Sequence, residues 1–209
     1  GTVILTETTE LIGAEHILTN RAVNMKVRKR ILEITKRYEN QVRRLGGDVR
    51  EGQPTRGNIA GGITTIEEKS LGAVYKAGTS KIVGVIDYGE RVNKKGLIIM
   101  NTPGYDVESV TGMVAGGAQL IVFTTGRGTP TGNPIAPVIK VTGNPWTFEG
   151  MKDNIDINAG KIITSDNLSI KDVGHEIFAE MLSVASGKST KAENLGHNEL
   201  AIWRVGFSL

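Results

Sequence analysis

Four groups of residues in this sequence have the types and spacing to do chemistry. The first is Ile121-Val-Phe-Thr-Thr-Gly-Arg-Gly-Thr-Pro-Thr-Gly-Asn-Pro134, an apolar run that enters a loop with glycines at 126, 128 and 132. Arg127 stands between two of these glycines, among the hydroxyls of Thr124, Thr125, Thr129 and Thr131. Glycine lets a backbone turn tightly and approach a ligand, and arginine offers a planar fork of donors that matches a carboxylate or phosphate. A strand that ends in such a loop is where open α/β sheets bind ligands, so the segment reads as an anion site. The spacing Gly126-x-Gly128-x-x-x-Gly132 is not the dinucleotide fingerprint, because Pro130 and Pro134 interrupt any following helix. No Gly-Lys-Ser/Thr follows, which argues against a phosphate loop. The bland alternative is a glycine-rich turn carrying a salt-bridged arginine.

The second is Lys140, inside the apolar run Val138-Ile-Lys-Val-Thr142. Lysines are rarely buried unless paired. One that points into a site could hold a carboxylate or act as a base, whereas one on an edge strand guards against aggregation. The third is Asp153-Asn-Ile-Asp-Ile-Asn158, in which Asp153 and Asp156 could bind a hard cation through oxygen, or simply build a turn on their side chains. The fourth is Glu7-Thr-Thr-Glu10 with Glu15-His16. Glu7 and His16 are a usable metal or acid–base pair, and helix capping by Thr8 or Thr9 is the simpler explanation of part of that cluster. His175 and His197 read as surface residues.

The elements that must position these groups follow from periodicity. Val3 to Glu7 reads as a buried strand at the very start, so the chain is expected to be a piece of something longer. Val27, Ile31, Ile34, Tyr38, Val42 and Leu45 recur in steps of three and four, which predicts a long amphipathic helix stopped at Gly46-Gly47. Residues 48–62 read as a long loop. Thr64 or Thr65 caps a helix reaching about Lys76, with Glu67 and Glu68 in its first turn. Residues 82–86, 97–100, 119–123 and 138–142 read as strands, and Asp106 to Ala115 as a helix. Val173, Ile177, Phe178, Met181, Leu182 and Ala185 mark another helix, stopped at Gly187. Glu199 to Val205 reads as a last strand. Strands alternating with helices predict one α/β domain over residues 1–209, a mainly parallel sheet with helices on both faces in a Rossmann-like layering.

Composition narrows the class. The chain has 209 residues, 39% hydrophobic and 22% charged, with 27 glycines and no cysteine. It can bury a full core without staples, and it supplies no thiolate chemistry. No charged-then-apolar leader and no apolar run near eighteen residues is visible, so a cytoplasmic protein that does not span a membrane is the expectation. Net charge is +3, unevenly placed, with nine Lys/Arg between Arg21 and Arg44 against Glu33 and Glu39. No aromatic stacking platform is interleaved with these charges, so the stretch reads as a solvated helix face and not as a nucleic-acid surface.

Read together, several segments resemble the altronate/galactarate dehydratase family, in its C-terminal catalytic region. They are Glu7-Thr-Thr-Glu-Leu-Ile-Gly-Ala-Glu-His16, Gly57-Asn-Ile-Ala-Gly-Gly-Ile-Thr-Thr-Ile-Glu-Glu-Lys-Ser-Leu-Gly72, Thr102-Pro-Gly104, Phe123-Thr-Thr-Gly-Arg-Gly-Thr-Pro130, Pro137-Val-Ile-Lys140, Asp156-Ile-Asn-Ala-Gly160 and Ala185-Ser-Gly-Lys188. The resemblance runs in order along essentially the whole chain. It implies a lyase that removes water from a sugar acid to give a 2-keto-3-deoxy product. It also implies a divalent metal, Fe2+ or Mn2+, and an N-terminal β-rich domain or separate subunit, within a homo-oligomer. A sulfolactate sulfo-lyase, which eliminates sulfite, belongs to the same broad family. A non-catalytic anion-binding or assembly domain is the other alternative. The chain departs from several relatives in lacking cysteines and in having Asn101 before Thr102-Pro103. Cysteine ligands, if the metal has any, would therefore come from upstream.

On this reading Arg127, with the backbone around Gly126 and Gly128, takes the substrate carboxylate. Thr124, Thr125 and Thr129 orient substrate hydroxyls, and Lys140 is a second cation or base. Glu7 and His16, or Asp153 and Asp156, are the candidate metal ligands.

Overall fold

The structure is a computed structural model that describes residues 1–202. Its chain divides into two compact units, Gly1–Gly117 and Ala118–Ile202. Each is built on a three-stranded parallel sheet, so the expected α/β class is observed, with two small sheets in place of one.

The first unit starts with β1 (Thr2–Leu5) and a 3-10 turn at Thr8–Leu11, followed by α1 (Glu15–Thr19) and the long α2 (Met25–Arg44). Asn24 caps α2 by accepting from Val27 N at 3.0 Å, and the helix ends where Gly46 takes a φ of 84°. Two short helices follow, α3 (Val49–Gly52) and α4 (Arg56–Ala60), capped by Asp48 and Thr55. The sequence offered only a loop here, because glycine and proline density hid two good N-caps. Next come α5 (Ile66–Tyr75), capped by Thr65, then β2 (Ile82–Ile86), β3 (Gly96–Met100) and α6 (Asp106–Ala115).

The strand order β1-β3-β2 leaves β1 at an edge. That is why Val3, expected to be buried, is 63% exposed. Leu97 and Ile99 point to one face of β3, where they join Leu11, Leu18, Val27, Ile31, Ile34 and Val74 in the core. Met100 points the other way, and its methyl group lies where a side chain at Gly116, after α6, would sit. Helices thus cover both faces.

The second unit contains β4 (Ile121–Thr125), β5 (Val138–Thr142), α7 (Pro145–Gly150), β6 (Ile157–Asn158), α8 (Lys161–Thr164), α9 (Ile170–Ala185) and α10 (Lys191–Asn194). β5 is the central strand. Its pairing of Ile121 with Val138 and Thr125 with Thr142 sets β4 two residues later than the sequence suggested. Ile139, Val141 and Ile157 pack under α9 through Val184, Ile177 and Met181. The opposite face carries Phe123, Lys140 and the folded-over 129–133 segment, whose Thr129, Thr131 and Asn133 are buried. The last strand expected over Glu199–Val205 is absent from Glu199–Ile202, and the rest of that expectation lies outside the described residues. No helix among the described residues is long and apolar enough to cross a membrane.

Candidate functional site

In each sheet one group singled out by chemistry lies in the loop after the carboxyl end of a strand, Glu7 after β1 and Arg127 after β4, where open parallel sheets bind ligands. In the second unit β4 delivers Thr124 and Thr125 directly into the Gly126–Gly128 turn. Gly128 has a φ of 86°, and its N–H donates to Thr125 Oγ1 at 2.9 Å. The Thr147 hydroxyl, from α7, donates to Gly126 O at 2.8 Å and ties the turn down from outside. Arg127 at the tip is exposed and makes no hydrogen bond or ion pair with any other described residue. The alternative of a salt-bridged arginine is therefore not what the structure contains. A guanidinium held on an anchored turn and left unpaired can accept a planar anion.

The other expected residues of this unit are engaged inside the protein. Thr129 is buried, and its hydroxyl bonds to that of Thr131 at 2.9 Å. Lys140 is fully buried on the central strand, which rules out the edge-strand reading. Its ammonium donates to Pro130 O at 2.9 Å and Thr131 O at 3.4 Å, so the charge holds the segment behind the arginine turn. Burial pushes its pKa down, and the charges of Asp156 and Glu199 oppose that shift. Asp156 accepts Lys140 N at 2.7 Å through one oxygen and Lys191 N at 2.9 Å through the other. Its carboxylate thereby joins β5 to the first turn of α10. Asp153 is exposed nearby.

In the first unit the corresponding loops follow β1 and β3. Glu7 adopts φ 58° and ψ 52°, and it is the one non-glycine residue with positive φ among the described residues. Its N–H donates to Thr102 Oγ1 at 2.8 Å, and the Thr8 hydroxyl reaches Asn101 Oδ1 at 2.7 Å and Thr102 O at 3.1 Å. Thr102 Oγ1 also meets Ser109 Oγ, on α6, at 3.2 Å. Gly104 passes so close to Thr9 that a Cβ there would lie 3.0 Å from its Oγ1. Asn101, Thr102, Thr8 and Ser109 are all buried, so this hydroxyl–amide network fixes the two loops against each other.

Glu10 is neutralised by Lys69 at 2.8 Å, and Lys69 also donates to Gln53 Oε1 at 2.6 Å. The Glu7 carboxylate, by contrast, accepts no hydrogen bond and forms no ion pair among the described residues. Its pKa is pushed up to about 7, first by burial and then by the charge of Glu10, with Lys76 and Lys69 opposing and Asp106 adding. Sequence reasoning noticed Glu7 but missed its supports. The signal was available in Thr102-Pro103-Gly104, which follows an apolar strand as the arginine turn follows another.

His16 lies exposed on α1. No group of three or more His, Cys, Asp and Glu among the described residues is arranged to hold a metal ion. Glu7, His16, Asp153 and Asp156 do not, by themselves, make a complete metal site.

Residues 1–208 match the family model described as D-galactarate/altronate dehydratase, C-terminal. The chain is 43% identical over 205 residues to galactarate dehydratase (L-threo-forming) of Escherichia coli (strain K12), covering 97% of this chain and 39% of that protein. It is 39% identical over 209 residues to altronate dehydratase of Bacillus subtilis (strain 168), covering 100% of this chain and 41% of the relative. A third relative, the (2R)-sulfolactate sulfo-lyase subunit beta of Chromohalobacter salexigens, is 38% identical over 206 residues, covering 98% of this chain and 53% of its own. The chain spans about half or less of the length of these curated relatives, in their C-terminal part. With its arginine turn and its Glu7 loop set at the ends of parallel strands, the chain belongs to the D-galactarate/altronate dehydratase C-terminal family.

Proposed function

We propose that this chain is the C-terminal catalytic region of a cytoplasmic hydro-lyase that dehydrates a sugar acid of the altronate or galactarate type to a 2-keto-3-deoxy acid. The observation that carries the reading is Arg127, unpaired on an anchored turn in a chain of this family. Its guanidinium would take the substrate carboxylate, and the exposed Thr124 and the Thr125 hydroxyl proton would meet substrate oxygens. Gly126 and Gly128 let the turn approach the ligand. Thr129 and Lys140 are better suited to positioning than to contact, since the hydroxyl bonds to Thr131 and the ammonium to two carbonyls.

The remainder of the enzyme, an N-terminal β-rich domain or a separate subunit, belongs to the proposal, as does a homo-oligomeric assembly. So does a divalent ion, Fe2+ or Mn2+, held mainly by that remainder, because the described residues do not form a full set of ligands. Such an ion would supply positive charge to substrate oxygens. None of the roles assigned to residues here depends on it.

Arg127→Lys in the full-length enzyme is expected to lower kcat/KM by about 10²-fold, because a point charge replaces a bidentate fork. A near-wild-type value would overturn the assignment. The sulfo-lyase relative supports a second reading, elimination of sulfite from a sulfonated hydroxy acid. Turnover of sulfolactate with none of altronate or galactarate would decide for it.

A further inference from the structure

We infer that Glu199 is a positioning residue for the arginine turn: with Lys140 it clamps the Thr131–Gly132 peptide and so keeps Arg127 where it meets the substrate carboxylate. The inference deepens the dehydratase reading and rests on it. All of its residues lie within the second unit, Ala118–Ile202.

One peptide group is central. Its carbonyl, Thr131 O, accepts from the Lys140 ammonium at 3.4 Å, and the preceding Pro130 O accepts from the same ammonium at 2.9 Å. Its N–H, on Gly132, donates to Glu199 Oε2 at 2.7 Å. The peptide is trans, so its C=O and N–H point in opposite directions and the cation and anion stand on opposite sides of it. Its dipole is aligned between two full charges, and both bonds are charge-assisted. The other carboxylate oxygen, Glu199 Oε1, meets His197 Nδ1 at 3.2 Å. Burial works against the charge of Glu199, but the Gly132 N–H and His197 are among the groups that outweigh it and hold its pKa below the ordinary carboxylate value. His197, expected at the surface, is half-buried, as is Glu199, whereas Asn198 and Leu200 are exposed. A Cβ at Gly132 would lie 2.3 Å from His197 O, so glycine admits this close approach. His197 is itself fixed after α10, where its N–H donates to Ala192 O at 3.0 Å.

The clamp reaches Arg127 through very few bonds. Thr131 N donates to Thr129 Oγ1 at 3.3 Å, and the two threonine hydroxyls meet at 2.9 Å, which ties the clamped peptide to the residue after Gly128. Between them Pro130 has its φ fixed by its ring. A shift of the Thr131–Gly132 peptide is therefore passed to Gly128 and Arg127 instead of being absorbed on the way. The guanidinium has no partner of its own among the described residues to resist it. Glu199 acts through this segment and touches no substrate atom.

In the full-length enzyme, Glu199→Ala should raise KM for altronate or galactarate about 10-fold and leave kcat within about 3-fold, because a grip on the carboxylate serves ground state and transition state alike. Glu199→Gln, whose amide oxygen still accepts from Gly132 N, should recover most of that loss. Gly132→Ala, which forces the segment away from His197 while keeping Glu199, should reproduce the rise in KM. Amide hydrogen exchange across residues 129–136 should quicken about 10-fold or more in Glu199→Ala, with the central strand β5 unchanged. A KM within about 2-fold of wild type in Glu199→Ala or in Gly132→Ala overturns the assignment. So does a Glu199→Gln enzyme no better than the alanine variant, or unaltered exchange across 129–136. A wild-type enzyme active on neither sugar acid overturns the dehydratase reading instead, and the exchange measurement then judges the clamp by itself.

Discussion

Single residues carry the functional argument, and Glu7 illustrates how. Its side chain lies between loops that bury it without neutralising it, and its pKa is pushed up to about 7. The folded state therefore holds the proton more tightly than the unfolded chain does, whose glutamate titrates near its ordinary value of 4.5. The resulting stabilisation is fully present below that unfolded value and is lost as pH rises through about 7. Glu7→Gln has no proton to lose. Its unfolding temperature relative to wild type should accordingly be higher at pH 8 than at pH 5, by thermal melts at both values. An unchanged difference would show that the carboxylate is not desolvated. Lys140 makes the complementary point. It was legible as an unusual lysine, but its employment by the carbonyls of Pro130 and Thr131 was not.

At the scale of elements, strand ends decide where chemistry can sit. β4 and β5 pair residue for residue from Ile121–Val138 to Thr125–Thr142, so the turn after Thr125 projects from the carboxyl edge of the sheet. Gly128 makes that turn possible by taking φ 86°, and a Cβ there would collide with the Met151 thioether after α7. Gly128→Ala should thus combine strain with a steric clash, destabilising the second unit by roughly 1–3 kcal/mol and raising KM more than it lowers kcat. Denaturant unfolding and steady-state kinetics check both parts, and an undisturbed KM would separate the turn from substrate binding. Helix signals were legible at this scale because they are local. Thr65 caps α5, and α6 runs over Asp106–Ala115 as the pattern predicted. α3 and α4 were missed because four-residue and five-residue helices are too short to show a period.

For the whole molecule, the decisive fact is that the chain spans 53% or less of the length of the relatives described above. Two units with parallel sheets supply an anion-binding turn and a free carboxylate, yet no set of three metal-binding side chains among the described residues. The expected outcome is that Mn2+ at about 100 times its Kd raises the stability of the full-length enzyme by up to ~2.7 kcal/mol. The isolated 209-residue chain should gain nothing from the ion. Thermal unfolding with and without Mn2+ makes the comparison, and equal stabilisation of both would place the ligands within this chain.

The sequence by itself determined the α/β class, the long amphipathic helices, the strand-to-loop position of Arg127 and the family motifs. All of these depend on residue order over short distances, where period and capping chemistry operate. Tertiary structure decided which candidates are free to react. Only strand order made β5 central and buried Lys140, and only the approach of residue 191 to residue 156 took up both oxygens of Asp156. Likewise, Glu7 is left unpaired because Lys69, fifty-nine residues beyond Glu10, bonds to Glu10 instead. Burial and partnership are properties of pairs far apart in the chain, and no local pattern encodes which pairs will meet.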